Sequence, residues 1–287
     1  MEFAKVGAGS LLALGLGAVL AIALPITLAL IWKFRKKERF TTILVGAATF
    51  LLFALLLEKP IQNVLLFPSQ MGLREHPLSA FLNARPVLLA LAAGLFPGVF
   101  EETGRLAAYK TVLKNRKNRE TAVSHGVGHG GFEAMYLLGA TYISYISYAV
   151  MINTGAFGTL VEQAAAKAPA QADALAALAG QLATLTFADV GLGFVERVFA
   201  VLFHVGASIL VFYACRDKGR RWLYPLAILL HTALDFIAAL YSLGVYTIPT
   251  WALEGIVAMF GLLTFFGAYL LLYRKDESKG AAQTHAA

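Results

Sequence analysis

The chain predicts an all-α fold, a polytopic membrane helix bundle of about seven transmembrane helices with its N-terminus outside and its C-terminus cytoplasmic. Three observations predict it. Of 287 residues, 59% are hydrophobic and only 14% charged, where a soluble domain has roughly 45–50% and about 25%; mean hydropathy is +0.68. Apolar stretches of the roughly 20 residues needed to cross a bilayer recur along the chain. Basic residues cluster between those stretches, and 17 of the 24 fall on one side once the stretches are taken to alternate. Despite a net charge of +7, this clustering argues against nucleic acid as a partner. Cys215, alone in the chain, excludes a disulfide scaffold.

The elements follow in order. The first span, 9–32, is too long for the apolar core of a secretory signal and runs into Lys33, Arg35, Lys36, Lys37 and Arg39, so it reads as a retained span. The second covers 40–57. The connection 58–85, carrying Pro60, Pro68 and Pro77 and closed by Pro86, is expected to be interfacial or re-entrant. The third span, 86–110, is followed by Lys114, Arg116, Lys117 and Arg119 after its terminal Lys110. The fourth, 122–152, carries Tyr142, Tyr145 and Tyr148 near its outer end, where an aromatic belt is expected. Residues 153–188 are rich in Ala and Gln, with helical periodicity from Asp173 to Leu185. That pattern suits an amphipathic helix over the outer face, or a plain tether.

The fifth and sixth spans, 189–215 and 222–246, are separated by Arg216, Lys218, Arg220 and Arg221, and the last, 249–273, is followed by Arg274, Lys275 and Lys279. The opposite loops hold only Lys5, Lys59, Arg74, Arg85 and Lys167. The basic excess marks the cytoplasmic side. Residues 1–275 are expected to form a single transmembrane domain with a catalytic core near 86–246, and 276–287, including His285, a disordered cytoplasmic tail. The chain is expected to be an integral multi-pass protein of a bacterial cytoplasmic membrane, with the lipid bilayer as its surroundings.

Ionisable residues inside spans cost roughly 2.5–3.5 kcal/mol each on insertion scales and mark function by default. The third span carries Glu101, Glu102 and Arg105; the fourth His125, His129 and Glu133; the fifth Glu196, Arg197 and His204; the sixth His231 and Asp235. The last holds Glu254 near its outer end. Counted from the cytoplasmic ends, Glu101 lies about 9 residues in, His129 about 7, His204 about 11 and His231 about 9, or roughly 10–17 Å at the helical rise. Four helices thus bring a carboxylate and three imidazoles to one level.

Glu101/Arg105, His129/Glu133 and His231/Asp235 are i,i+4 neighbours, each pair on one face. Arg105 can hold one of the two adjacent carboxylates and leave the other as a general base. Glu133 and Asp235 can serve as further metal ligands or orient the imidazoles. Gly126, Gly128, Gly130 and Gly131 allow close helix approach around His129. Three imidazoles from His129, His204 and His231 suit a catalytic Zn²⁺ with one position left for water. His125, nearer the cytoplasmic surface, reads as an accessory or access residue, and Glu196 with Arg197 as an ion pair to a neighbouring helix.

The ordered motifs Glu101-Glu102-x-x-Arg105, His129-x-x-Phe132-Glu133, His204 and His231-x-x-x-Asp235 resemble those of the intramembrane metalloproteases of the CAAX-processing and bacteriocin-processing type. The resemblance is greatest to the YhfC-type branch, with PrsW-type proteins as cousins, and covers residues 100 to 236. It implies hydrolysis of a peptide bond within the bilayer by a glutamate-activated water, on a peptide or membrane-protein substrate, with Glu101 as the catalytic candidate. The arginine stands one residue closer than in prenyl-protein endoproteases, and Asp replaces Asn in the last motif, so a prenylated substrate is not implied. Two other functions use a similar charged core. A seven-span zinc amidase of ceramidase type would place a His-x-x-x-His pair on the last span, which has no histidine. A proton- or metal-coupled transporter would show repeated halves and broken helices, and neither is evident. Nothing in the pattern sets an oligomeric state.

Overall fold

The computed structural model describes residues 2–276, and among them there is no strand. Seven helices are long and apolar enough to cross a membrane. They are α1 (Ala8–Lys36), α2 (Phe40–Leu66), α4 (Pro86–Lys110), α5 (Glu120–Thr154), α8 (Phe187–Arg216), α9 (Leu223–Ser242) and α10 (Thr250–Asp276). Three shorter helices intervene: α3 (Pro77–Asn83), α6 (Phe157–Ala165) and α7 (Pro169–Thr184). Up-and-down threading collects the basic clusters at one end of the bundle, here the basic end. The tail expected over 276–287 lies, beyond Asp276, outside the described residues.

The most enclosed helix is α8, with 72% of its apolar window buried against 28–39% for the other spans. It lies between α5 and α10, while α4 packs along α9 and α2 against α5. The α2–α5 contact needs glycine on both sides. A Cβ on Gly46 would strike the carbonyl oxygen of His125, and one on Gly128 the backbone of Ile43. Side chains at these positions would force the helices apart.

Wide π-helical turns interrupt α2 at Leu51–Glu58, α5 at Met135–Ala140 and α10 at Tyr269–Tyr273. In α2 the wide turn has a visible effect. Phe50, Ala54, Glu58, Gln62 and Leu66 are all buried, a stripe at every fourth residue. An α-helix turns about 100° per residue, so such a stripe drifts by about 40° per step. Wider turns offset the drift and keep the stripe facing inward. Such π segments recur at functional sites.

The segment 58–85 is therefore largely helical. Here α2 continues to Leu66, past the expected end at 57, and α3 follows after a short turn, capped by the His76 side chain, which accepts from the Ser79 N–H. The helix read from Asp173 to Leu185 forms as α7. With α6 it builds a core at the end opposite the basic clusters, where Phe157, Val161, Ala179 and Leu182 pack with Leu14 and Tyr142. Tyr142 is thus not a belt residue: it is buried and donates to the Val190 carbonyl at 3.4 Å. Tyr145 and Tyr148 pack on the same cluster, because α6 and α7 cover them.

Candidate active site

The expected site residues come from α4, α5, α8 and α9, and all face the bundle interior. Glu101, Glu102 and Arg105 on α4, His129 and Glu133 on α5, His204 on α8 and His231 on α9 are buried; Asp235, one turn beyond His231, is partly exposed.

Two linked groups form. In the first, Glu101, His129, Glu133 and His204 each present a potential ligand atom, and these atoms all lie within 4.8 Å of one another. His129 Nε2 is 2.8 Å from Glu101 Oε2, and the His129 and His204 rings are 5.0 Å apart between centroids. Arg197 donates to Glu133 Oε1 at 2.8 Å and is also paired with Glu196. The ion pair expected there with a neighbouring helix therefore forms, and it anchors Glu133.

In the second group, Glu102 is bonded to Arg105, and its Oε1 is 2.8 Å from His231 Nδ1. His231 Nε2 is 3.4 Å from Asp235. The structure thus places His231 with Glu102 rather than among the four clustered ligand atoms, although its ring is only 5.4 Å from that of His204. Arg105 joins the groups: its Nη2 is 2.6 Å from His204 Nδ1 and 3.9 Å from Glu101 Oε2. A guanidinium only donates, so His204 Nδ1 accepts from Arg105.

The first group fits a divalent metal. Two imidazoles and two carboxylates are the donors zinc takes, with three protein ligands and an open position in catalytic sites. Glu133 Oε2 abuts His204 Nε2 yet makes no hydrogen bond, and His129 Nδ1 has no partner either. Buried polar atoms are rarely left this way, and a bound cation would satisfy the carboxylate oxygen.

His125, one turn nearer the basic end than His129, is not open to the outside as an access residue would be. It is fully buried, with Thr49 Oγ1 at 3.2 Å from Nε2 and Ser208 Oγ at 3.3 Å from Nδ1. The tight α2–α5 approach over Gly46 buries it, and its role is to tie α2, α5 and α8 together.

A cavity of about 360 Å³ opens beside the metal-competent group. Glu101, Glu133, His204, His231 and Asp235 line it, and it continues past Glu58 and Gln62 on α2 toward Glu196 and Ser242, away from the basic end. Glu58 is the lining residue that span-counting misses, because the second span was taken to end at 57. The stripe at every fourth residue in α2 is the signal that would have found it.

A family model described as YhfC intramembrane metalloprotease matches residues 20–257. An uncharacterized membrane protein, YhfC of Bacillus subtilis (strain 168), is 32% identical over 256 residues, which is 88% of this chain and 93% of the relative. No solved structure matches the chain.

Proposed function

The chain belongs to the YhfC intramembrane metalloprotease family, and on that premise we propose that it is a metal-dependent endopeptidase cutting peptide bonds of a membrane-associated or lipid-embedded substrate. One observation carries the reading. Glu101, His129, Glu133 and His204 converge from three separate spans within 4.8 Å, beside a cavity that Glu101, Glu133 and His204 line.

Roles follow from how firmly each group is held. His129, Glu133 and His204 are assigned to zinc, with Glu133 anchored by Arg197. Zinc, when bound, polarises a carbonyl and lowers the pKa of water to about 7. Glu101 is the base. Its nearest partner is the His129 ring at 2.8 Å, and Arg105 stays 3.9 Å away, so its carboxylate is free to take a proton from water and deliver it to the leaving amine. His231, oriented by Glu102, points Nε2 toward Asp235 on the cavity wall and donates to the substrate carbonyl. Glu102 and Arg105 are positioning residues, fixing the rings of His231 and His204.

The test uses zinc-loaded protein in detergent micelles and a library of labelled transmembrane peptides, with products read by mass spectrometry. Cleavage by wild type, and a fall of about 10²–10⁴-fold in Glu101→Gln, is expected. If no peptide yields a Glu101-dependent product, the endopeptidase reading fails.

A further inference from the structure

The cavity holds an acidic side chain that hydrolysis leaves unused. Glu58 sits on the inward stripe of α2, its side chain 1% exposed, and it lines the cavity. Its Oε1 makes no hydrogen bond. Its ion-pair partner is Lys59, Nζ at 3.6 Å, on a side chain 49% exposed that also reaches Gln62 Oε1 at 3.5 Å. Gln62 in turn donates to the Ala93 carbonyl at 2.9 Å. On the other walls, Glu196 is closed by Arg197, and His231 Nε2 lies 3.4 Å from Asp235. A buried carboxylate without a full partner is costly. A cation arriving in the cavity would complete it.

Resting on the peptide-hydrolase reading of this site, we infer that Glu58, with Asp235 on the facing wall, forms a subsite for a cationic group of the substrate. The group is an ammonium or guanidinium, carried on a lysine or arginine side chain or as a free amino terminus. Its distance from the chemistry can be gauged. Phe50 stacks edge-on against His129, centroids 5.4 Å apart, and Glu58 is eight residues further along α2, at most about 12 Å because the wide turns between them rise less per residue than an α-helix. An extended peptide advances about 3.3 Å per residue, which puts the cation within about four residues of the cleaved bond. Substrate selection would then be electrostatic at one end of the cavity and hydrolytic at the other.

Binding to metal-free wild type in micelles, read by fluorescence anisotropy, separates this from turnover. The probes are labelled apolar peptides of about 20 residues: N-acetylated with one lysine, N-acetylated with norleucine in its place, and norleucine with a free amino terminus. The lysine peptide is expected to bind about tenfold tighter than its norleucine twin, a gap of about 1.4 kcal/mol. If instead only the free-terminus peptide gains, the cation recognised is the terminal amine. Glu58→Gln should erase the gain, Glu58→Asp should keep most of it, and Glu58→Lys should favour a glutamate-bearing peptide. Equal binding of all three peptides, or a gain that survives in folded Glu58→Gln, overturns the subsite. Cleavage of the lysine peptide by zinc-loaded protein is scored separately, and its absence would remove the hydrolase without touching the binding result.

Discussion

Arg105 stands with Nη2 2.6 Å from Nδ1 of His204, so a fully buried arginine orients a histidine assigned to the metal. The same guanidinium is bonded to Glu102, and Glu102 to His231. One cation therefore sets the ring positions on two neighbouring helices.

Removing that cation alone leaves Glu102 buried with only the His231 ring as partner. Arg105→Gln should cost about 3–5 kcal/mol of stability, as breaking a buried ion pair from one side does. The double variant Glu102→Gln/Arg105→Gln should recover much of it, since neither charge is then stranded. Thermal unfolding in detergent reads both, and strictly additive losses would contradict the coupling.

Glu101→Gln removes the base and keeps the shape. Turnover should fall by about 10²–10⁴-fold, the usual share of general acid–base catalysis. Zinc content and unfolding midpoint should stay near wild type. A variant that loses its zinc would place Glu101 among the ligands instead.

Metal content separates the two histidine groups. His204→Ala and Glu133→Gln should lose most bound zinc, whereas His231→Ala, bonded to Glu102 rather than clustered with the four ligand atoms, should keep zinc and lose turnover. Elemental analysis of the purified proteins decides it. Chelation should lower the unfolding midpoint of wild type, a ligand at 100 times its Kd being worth about 2.7 kcal/mol.

Glycine contacts make a fourth set. Gly128→Ala must push α2 from α5, since its Cβ meets the Ile43 backbone, and a loss of about 1–3 kcal/mol is expected for such overpacking. Gly15→Ala and Gly267→Ala meet nothing within 4 Å and should be neutral or stabilising by up to about 1 kcal/mol. Unfolding midpoints of the three variants check the contrast.

The spans were legible because crossing a bilayer imposes a length and a composition on each helix. The depth of Glu101, His129, His204 and His231 was legible too, because depth is a residue count. Rotation about each helix axis was not. Which of two imidazoles at one level faces which carboxylate depends on helix packing, and His231 turns to Glu102 while Glu133, anchored by Arg197, joins Glu101. Burial of His125 depended likewise on how closely Gly46 lets α2 approach. Glu58 escaped because a charged residue at the end of an apolar run looks like its boundary, and only the wide turns of α2 bring it inside.

The acidic pair on α4 also bears on how the chain is assembled. Its apolar window has the lowest mean hydropathy of the seven spans, 1.3, since each charge in it resists transfer into lipid. Arg105 neutralises Glu102 from within the same helix, but His231 follows Glu102 by 129 residues. During synthesis α4 therefore emerges long before the helix that completes it. Until α9 is made, Glu102 has Arg105 beside it but not His231.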